Sequence, residues 1–228
     1  MTKKELIFKN PFGALGIDCD DMINDGELGA VMARAGIGKT SLVVQMALHA
    51  MARGKNVLHV SLEEPAQKVN VWYNEMFTNL ADLNRVEEPQ SAYDETLPHR
   101  MILTMKVDGF SVARLEERVN DLIEQGIFKP DMMIIDGYPF EEKNRADMEE
   151  LKALASTIGS FALFTVKTHR HEAPAENGLP VQLNSVDDIF STLLQIIPED
   201  NTIFVKSIKG TKAGEDTAVL DPETMIIR

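Results

Sequence analysis

The stretch Ala33-Arg34-Ala35-Gly36-Ile37-Gly38-Lys39-Thr40 is the part of this chain that best predicts its fold class. It has the form of a phosphate-binding loop, G-x-x-x-x-G-K-[ST], with Ala33 at the position of the first Gly. A buried apolar strand is predicted before it at residues 28–32, and a helix is predicted after it at residues 41–53. A strand, a tight loop and a helix in this order direct backbone N–H groups and the positive end of a helix dipole at one point, which favours phosphate binding.

Different residues of the loop are expected to contact different parts of a bound nucleotide. We predict nucleotide contacts from Ala35, Gly36, Ile37, Gly38, Lys39, Thr40 and Ser41. Lys39 would neutralise β- and γ-phosphate charge, which also makes it a predicted catalytic residue, and the Thr40 hydroxyl is a predicted Mg²⁺ ligand. Ala33 is a mild departure, because a small residue follows the turn when its φ is negative. The expected cofactors are ATP and Mg²⁺.

Length and composition narrow the class of protein. The 228 residues favour one domain over 1–228, with 1–25 as an N-terminal extension and 188–228 as a β-rich edge. The 23 basic and 36 acidic residues give a net charge of −13, which disfavours nucleic acid and anionic membranes as partners. Cys19 is the only cysteine, and no apolar run approaches the roughly 20 residues of a membrane span. We therefore expect no internal disulfide and no membrane contact, and a cytoplasmic location.

Apolar runs and helical periodicities alternate along the chain, which predicts an α/β fold. The expected architecture is a mainly parallel twisted sheet with helices on both faces and a C-terminal antiparallel strand extension. Helices are predicted over about 65–80, from Ser111 to Gly126, and from a capping pair, Asp147 and Glu150, to Gly159. Loops are predicted at 85–100 and 167–185. The predicted strands after the first lie at 56–62, 101–105, 132–136, 161–166, 189–197, 202–208, 217–220 and 225–227.

Acidic residues follow two of the predicted strands. Asp136 comes directly after four apolar residues, at the edge where parallel sheets bind ligands, so it is a candidate to hold Mg²⁺ directly or through water. Glu63 and Glu64 follow the strand at 56–62, where a carboxylate can orient and deprotonate the water that attacks a γ-phosphate. Adjacent residues of a strand point to opposite faces, so one of the two is expected to face the nucleotide. Both remain catalytic candidates.

Three segments together resemble the core of the RecA-like ATPases, in particular the DnaB replicative-helicase and KaiC circadian-clock branches. They are residues 29–40, 60–64 and 134–138. Ser61-Leu62-Glu63 matches the helicase branch, in which this Glu is the catalytic base, whereas the Glu63–Glu64 pair is similar to the KaiC branch. The resemblance extends over roughly residues 26–228 in element order. It implies a RecA-like P-loop core and Mg²⁺-dependent ATP hydrolysis.

The segment 204–212 resembles the late strand that, in both branches, sends basic residues into a neighbouring subunit's nucleotide site. The resemblance implies that Lys206 and Lys209 contact nucleotide in trans and that the chain forms a homo-oligomer, a hexameric ring being the expected form. Lys209 stands where the usual pattern has Arg. Because lysine lacks the bidentate fork of arginine, this departure implies weaker stabilisation of the γ-phosphate.

The same resemblance implies that the loops after Asp136 and after residue 166 face a ring pore. Their basic residues alternate with acids, and the second loop has no aromatic ring for base stacking. A nucleic-acid track is therefore disfavoured. The helicase branch often ends the strand before the second loop with a polar sensor such as Gln, and Lys167 or Thr168 occupies that region here. The basic residues of the two loops are Lys143, Arg145, Lys167, His169, Arg170 and His171.

These observations favour an oligomeric RecA/KaiC-like ATPase, with a protein client as a further partner. One alternative is a slow-turnover, ATP-gated regulatory or interaction protein, for which Ala33 and the lysines in place of arginine argue. A DNA helicase motor ranks lower because of the net charge of −13. A small-molecule P-loop kinase is disfavoured because only Arg170 and Arg228 follow residue 150, too few for an arginine-rich lid. Trp72 and Tyr73 are interpreted as core or interface anchors rather than adenine-stacking residues.

Overall fold

The computed structural model describes residues 10, 13–17, 26–140, 145–169, 179–210 and 217–228. The strands in these ranges form one eight-stranded sheet. They are β1 Leu28–Arg34, β2 Val57–Ser61, β3 Arg100–Thr104, β4 Met132–Asp136, β5 Phe161–Thr168, β6 Thr192–Glu199, β7 Thr202–Lys209 and β8 Thr217–Leu220. Their order across the sheet is β3-β2-β4-β5-β1-β6-β7-β8.

The first six strands in chain order run parallel to one another, and β7 and β8 add antiparallel to β6. The two antiparallel strands are joined to the rest of the sheet through β6, which pairs with β1. The predicted mainly parallel sheet with a C-terminal antiparallel extension is thereby confirmed.

Helices pack on both faces of the sheet, as predicted. The α-helices of the described residues are α1 Lys39–Ala52, α2 Ala66–Leu83, α3 Pro89–Asp94, α4 Val112–Glu124 and α5 Arg145–Ile158. One hydrophobic cluster joins α1 and α2 to one face of the sheet, and a second joins α4 and α5 to the other face. The alternation of side chains along β1 shows the division, because Val31 belongs to the first cluster whereas Ala30 and Met32 belong to the second.

The burial of each helix follows from its sequence. Helix α1 is apolar around most of its circumference, and every residue from Leu42 to Met51 is buried, because the helix lies between the sheet and other elements. Helix α4 has only a narrow apolar stripe, formed by Val112, Leu115 and Val119. Its N-terminus is capped by the Ser111 side chain, which accepts a hydrogen bond from the Arg114 N–H at 3.3 Å.

The structure corrects four local predictions. The segment 85–100 is not a simple loop, because Pro89 begins the short helix α3. Helix α5 begins at Arg145, so Asp147 and Glu150 lie inside the helix and form no capping box. Strand β6 begins at Thr192 rather than at residue 189. Residues 225–227 contribute a single antiparallel bridge, from Ile227 to Leu220, instead of a strand.

The topology gathers the candidate site residues at one edge of the sheet. Strands β1, β2, β4 and β5 are parallel, so their carboxyl ends, and the loops that follow them, meet there. In the register of β2 and β4, Ser61 pairs with Asp136. Within the described parts of the chain, none of the helices has the length and apolar character needed to cross a membrane.

Candidate functional site

The phosphate-binding loop joins β1 directly to α1. Gly36 and Gly38 have φ values of 76° and 97°, which lie in the left-handed region that glycine adopts without strain. Gly38 is the N-cap of α1 and offers no side chain to the first turn, so the backbone N–H groups there are left for a ligand. Ala33 lies within β1 and its φ is not positive, as required for a non-glycine residue at this position.

Lys39 lies at the first position of α1 and folds back over the loop. Its ammonium donates to the carbonyl oxygens of Ala33 and Arg34, both at 3.1 Å. Burial lowers the pKa of Lys39, while the negative charges of Asp136 and Glu63 oppose this shift. The ammonium is thus held next to the loop by two backbone carbonyl groups, which a phosphate can replace. It also lies close enough to two carboxylates to be stabilised by their charge.

Asp136 is the centre of a hydrogen-bonded cluster at the end of β4. Its Oδ1 accepts from the Thr165 hydroxyl at 2.6 Å, and its Oδ2 accepts from the Thr40 hydroxyl at 3.3 Å. The Thr165 oxygen in turn accepts from the Gly137 N–H at 3.0 Å. Burial raises the pKa of Asp136, against the hydrogen bonds from both threonines and the charge of Lys39. These contacts fix the carboxylate beside Thr40.

The two consecutive glutamates have different surroundings. Glu64 forms an ion pair with Lys68 at 2.6 Å, and its backbone N–H donates to the Ser61 hydroxyl at 3.2 Å. Glu63 packs against Gly137, directly after Asp136, and its charge acts on Lys39. Both side chains line the same cavity. Glu64 is therefore paired with a neighbouring cation and also acts by its charge on Asp136, whereas Glu63 lies against Gly137 and acts on Lys39.

One cavity of about 650 Å³ brings most of the predicted site residues together. Ile37 is the exception among the loop residues, since it packs against the hydrophobic core instead. Trp72, interpreted from sequence as an anchor, lines the cavity, whereas Tyr73 is fully buried in the core. The predicted site residues that line the cavity are Ala35, Gly36, Gly38, Lys39, Thr40, Ser41, Glu63, Glu64 and Asp136.

The donor set at Thr40 and Asp136 fits Mg²⁺. A hydroxyl and a carboxylate oxygen lie 3.3 Å apart at the mouth of the phosphate loop. Mg²⁺ takes oxygen ligands and usually keeps several waters, with one or two protein groups plus substrate phosphates. Among the described residues no group of three or more His, Cys, Asp or Glu is placed to hold a metal, so a metal here would depend on phosphate and water for its other ligands.

Lys206 and Lys209 lie on β7 and do not line the cavity of their own chain. Lys206 pairs with Glu199 at 2.9 Å, and the Lys209 ammonium donates to the Asp187 carbonyl at 3.1 Å. Both contacts are exposed, so both side chains can be released at small cost. Lys143, Arg170 and His171, assigned from sequence to pore-facing loops, lie outside the described residues.

Three residues at or beside the candidate site were not identified from the sequence. Thr165 is the only polar residue in the run 161–166, and that exception in an apolar strand was the available signal. His59 was a similar polar exception in β2. Met225 lines the cavity although it is 185 residues distant from Thr40, because Gln45 of α1 donates to its carbonyl at 2.6 Å. Local sequence carries no sign of that last contact.

The fold and the loop define a P-loop nucleotide-binding protein of the ATPase class. The chain belongs to the AAA domain family, whose model matches residues 17–161. That span includes the phosphate loop, both glutamates and Asp136, and it ends at the beginning of β5. A comparison with curated proteins finds no match.

Proposed function

We propose that the chain is a Mg²⁺-dependent ATPase of the RecA/KaiC type that acts as an oligomer. The observation that carries the proposal is the convergence of Lys39, Thr40, Glu63 and Asp136 on one cavity of about 650 Å³. Membership of the AAA domain family supports the ATPase class. The RecA/KaiC assignment rests on the resemblance of residues 60–64 and 134–138, and the mainly parallel sheet supports a P-loop core in general.

The loop supplies the phosphate contacts. The free N–H groups after Gly36 and the dipole of α1 attract the phosphates, and Lys39 exchanges its two carbonyl acceptors for β- and γ-phosphate oxygens. Thr40 and Asp136 would hold Mg²⁺, which supplies charge neutralisation when bound. Backbone N–H groups and the side chains of Lys39, Thr40 and Asp136 would thus hold the phosphates and the metal together.

Glu63 is the base in this proposal. A general base has to reach the attacking water and must not be neutralised by a competing cation. Glu64 is held by Lys68 at 2.6 Å, whereas Glu63 faces the loop beside Gly137. Glu64 has a supporting role, because its contact with Ser61 shapes the turn that presents Glu63.

Lys206 and Lys209 are proposed to complete a neighbouring subunit's site. They lie on the antiparallel extension of the sheet, outside the cavity of their own chain, and their exposed contacts with Glu199 and Asp187 are readily exchanged. A head-to-tail interface that presents β7 to the next phosphate loop generates a ring, in which each nucleotide lies at a seam. AAA-type domains often oligomerise, which supports this arrangement, and a hexamer is the proposed form.

A second candidate is a slow-turnover, ATP-gated regulatory protein. It is favoured by the residues that surround the cavity, because no arginine is among the described ones. An arginine typically stabilises the charge that develops on the transferring phosphoryl group, and a lysine supplies that charge without the bidentate geometry. The two candidates share a binding site and differ in rate.

The first experiment measures binding and turnover separately. Wild-type protein is expected to bind a fluorescent ATP analogue with Mg²⁺ and to release ADP without an added acceptor, while Lys39→Ala loses binding. Binding without measurable ADP, together with a change of mass on ATP addition, would favour the regulatory protein. ADP release only in the presence of an acceptor molecule would identify a kinase and overturn the proposal. Absence of nucleotide binding would overturn both candidates.

Mixed assemblies test the sites in trans. Lys39→Ala subunits cannot bind nucleotide but retain Lys209, and Lys209→Ala subunits retain the loop. Each variant alone is expected to be inactive, and an equal mixture is expected to regain about a quarter of wild-type turnover, since one seam in four joins an intact loop to an intact lysine. A mixture as inactive as its parts would exclude completion in trans. Full activity of Lys209→Ala alone would exclude a role for that lysine.

A further inference from the structure

His59 is a buried polar side chain that the proposed mechanism does not use. It lies in the middle of β2 and is 0% exposed. Its Nδ1 is 3.2 Å from the Tyr73 hydroxyl, while its Nε2 has no hydrogen-bond partner among the described residues. Buried polar atoms are nearly always paired, so an unpaired one calls for a physical reason.

The unpaired nitrogen is aimed at the candidate metal site. His59 Nε2 lies 3.9 Å from Asp136 Oδ2, the same oxygen that accepts from Thr40. The geometry follows from the sheet register, because His59 precedes Ser61 by two residues and Ser61 pairs with Asp136, which places all three on one face. A separation of 3.9 Å is longer than a hydrogen bond, and a shift of about 1 Å closes it.

The tautomer of His59 is determined by its surroundings. Which nitrogen of the His59 ring carries the proton is set by the hydrogen bond that the other nitrogen makes, here the contact of Nδ1 with Tyr73. The Tyr73 hydroxyl, whose pKa is raised by burial, keeps its proton and can donate it to Nδ1. The Nε2 then carries the ring proton and faces a carboxylate oxygen. The other tautomer would oppose two lone pairs, which is unfavourable in a buried site.

We infer that His59 is a positioning residue for Asp136, whose Oδ2 it orients toward the metal through an Nε2–H donor that Tyr73 keeps in place. Thr165 holds Oδ1 at 2.6 Å, and His59 supplies the matching support for Oδ2, for which the contact with Thr40 is long at 3.3 Å. This inference rests on the proposed function, since it takes Asp136 as a Mg²⁺ ligand. Hydrogen bonds to a ligating carboxylate tune metal affinity in general.

The test compares His59→Leu, His59→Gln and Tyr73→Phe with the wild type. Binding of a fluorescent ATP analogue is titrated with Mg²⁺, and binding in EDTA is the reference, because the loop contacts with phosphate do not pass through His59. The Mg²⁺ midpoint is the Mg²⁺ concentration that gives half of the maximal nucleotide binding. His59→Leu is expected to raise this midpoint about tenfold. His59→Gln places an amide N–H near the position of Nε2 and is expected to restore the midpoint to within about twofold. Tyr73→Phe removes the hydroxyl that contacts Nδ1, so the His59 proton can lie on either ring nitrogen. It is expected to raise the Mg²⁺ midpoint by less than His59→Leu does.

Each outcome separates the inference from the proposal on which it rests. If wild-type protein binds nucleotide without any dependence on Mg²⁺, the proposed function fails. If the wild type depends on Mg²⁺ and His59→Leu has the same midpoint, the inference alone fails. It also fails if folded His59→Gln is as impaired as His59→Leu, because then the loss reflects packing and not a donor. If His59→Leu does not fold, Tyr73→Phe decides the question. A wild-type Mg²⁺ midpoint in Tyr73→Phe overturns the inference. A raised Mg²⁺ midpoint, with nucleotide binding in EDTA unchanged, supports it.

Discussion

Glu63 packs against the Cα atom of Gly137, so that a Cβ atom at position 137 would lie 2.7 Å from the Glu63 Cγ atom. Gly137 also has a φ of 85°, which a side chain strains. Gly137→Ala is therefore expected to lower the free energy of unfolding by about 1–3 kcal/mol and to displace Glu63. Because Glu63 is the proposed base, ATP turnover should fall much more than nucleotide binding.

The matched control for this substitution is Gly126→Ala. Gly126 has a φ of 65°, so an alanine there is strained as well, but no atom lies within 4 Å of the added Cβ. A loss of stability without a loss of turnover is expected, measured by denaturant unfolding and ADP release. Equal turnover in Gly137→Ala and Gly126→Ala would show that the contact with Glu63 has no catalytic consequence.

Glu63→Gln and Glu64→Gln are expected to separate the two acids. Glu63→Gln should reduce turnover by about 10²–10⁴-fold with ATP binding retained, because the base is lost and the shape is kept. Glu64→Gln should reduce it only slightly, because the Glu64 ion pair with Lys68 is partly exposed and lies one residue away from the proposed base. Single-turnover measurements with saturating ATP distinguish chemistry from binding. The reverse order of effects would transfer the role of base to Glu64.

Thr165 joins Asp136 to Gly137 and is nearly fully buried. Thr165→Val removes the hydroxyl and leaves Asp136 Oδ1 without this donor, so the free energy of unfolding is expected to fall by about 1–3 kcal/mol. The Mg²⁺ midpoint for nucleotide binding should rise by about 10-fold or more. Thr165→Ser keeps the hydroxyl and is the control, expected to resemble the wild type in both measurements. A valine variant with wild-type Mg²⁺ dependence would contradict the positional role.

The parts of the site that sequence could predict are those encoded by neighbouring residues. The phosphate loop, Asp136 after four apolar residues and Glu63 after an apolar run each depend on a local order of strand and turn. Thr165 and His59 matter only because β5 and β2 flank β4 in the sheet. That neighbourhood is a property of strand order, which a single sequence does not specify, so both residues were predicted merely as members of apolar strands.

Strand pairing and burial also account for the two wrong strand predictions in the C-terminal third. Residues 189–191 are apolar or small, as in a strand, but the partner strand β1 pairs with β6 only from Thr192 onward. Residues 225–227 are apolar because they cover α1, where the Ile227 N–H donates to Gln45 at 3.0 Å. Burial without a strand partner gives the same sequence pattern as a strand.

His59 is expected to make stability depend on pH. Its pKa is about 3 in the folded chain and 6.5 in the unfolded chain, so between these values the unfolded state binds more protons. Stability is therefore lost as the pH falls through this window, by roughly 2 kcal/mol from pH 7 to pH 5. His59→Gln has no titrating ring at this position and therefore lacks this pH-dependent loss of stability. Asp136, whose raised pKa acts in the opposite direction, is present in both proteins and cancels in the comparison.

The measurement is denaturant unfolding in EDTA at both pH values for wild type and His59→Gln. The wild type should lose about 2 kcal/mol more than the variant on acidification. An equal loss in the two proteins would mean that the folded chain takes up a proton on His59 as readily as the unfolded chain, so that burial does not lower the pKa of this ring.

Trp72 is expected to report on nucleotide binding in the part of the cavity beside the proposed base. It is the only tryptophan of the chain, it lines the cavity, and the Lys68 ammonium lies 5.5 Å from its ring centroid. Lys68 is held by Glu64, the neighbour of the proposed base, so a γ-phosphate bound there is expected to change the field at the ring. Tryptophan emission is expected to change on addition of a non-hydrolysable ATP analogue with Mg²⁺, and to change less with ADP. Lys68→Met should reduce the difference in emission change between the ATP analogue and ADP. Trp72→Phe should abolish the emission signal while nucleotide binding persists. Identical emission changes with the ATP analogue and with ADP would place Trp72 away from the γ-phosphate.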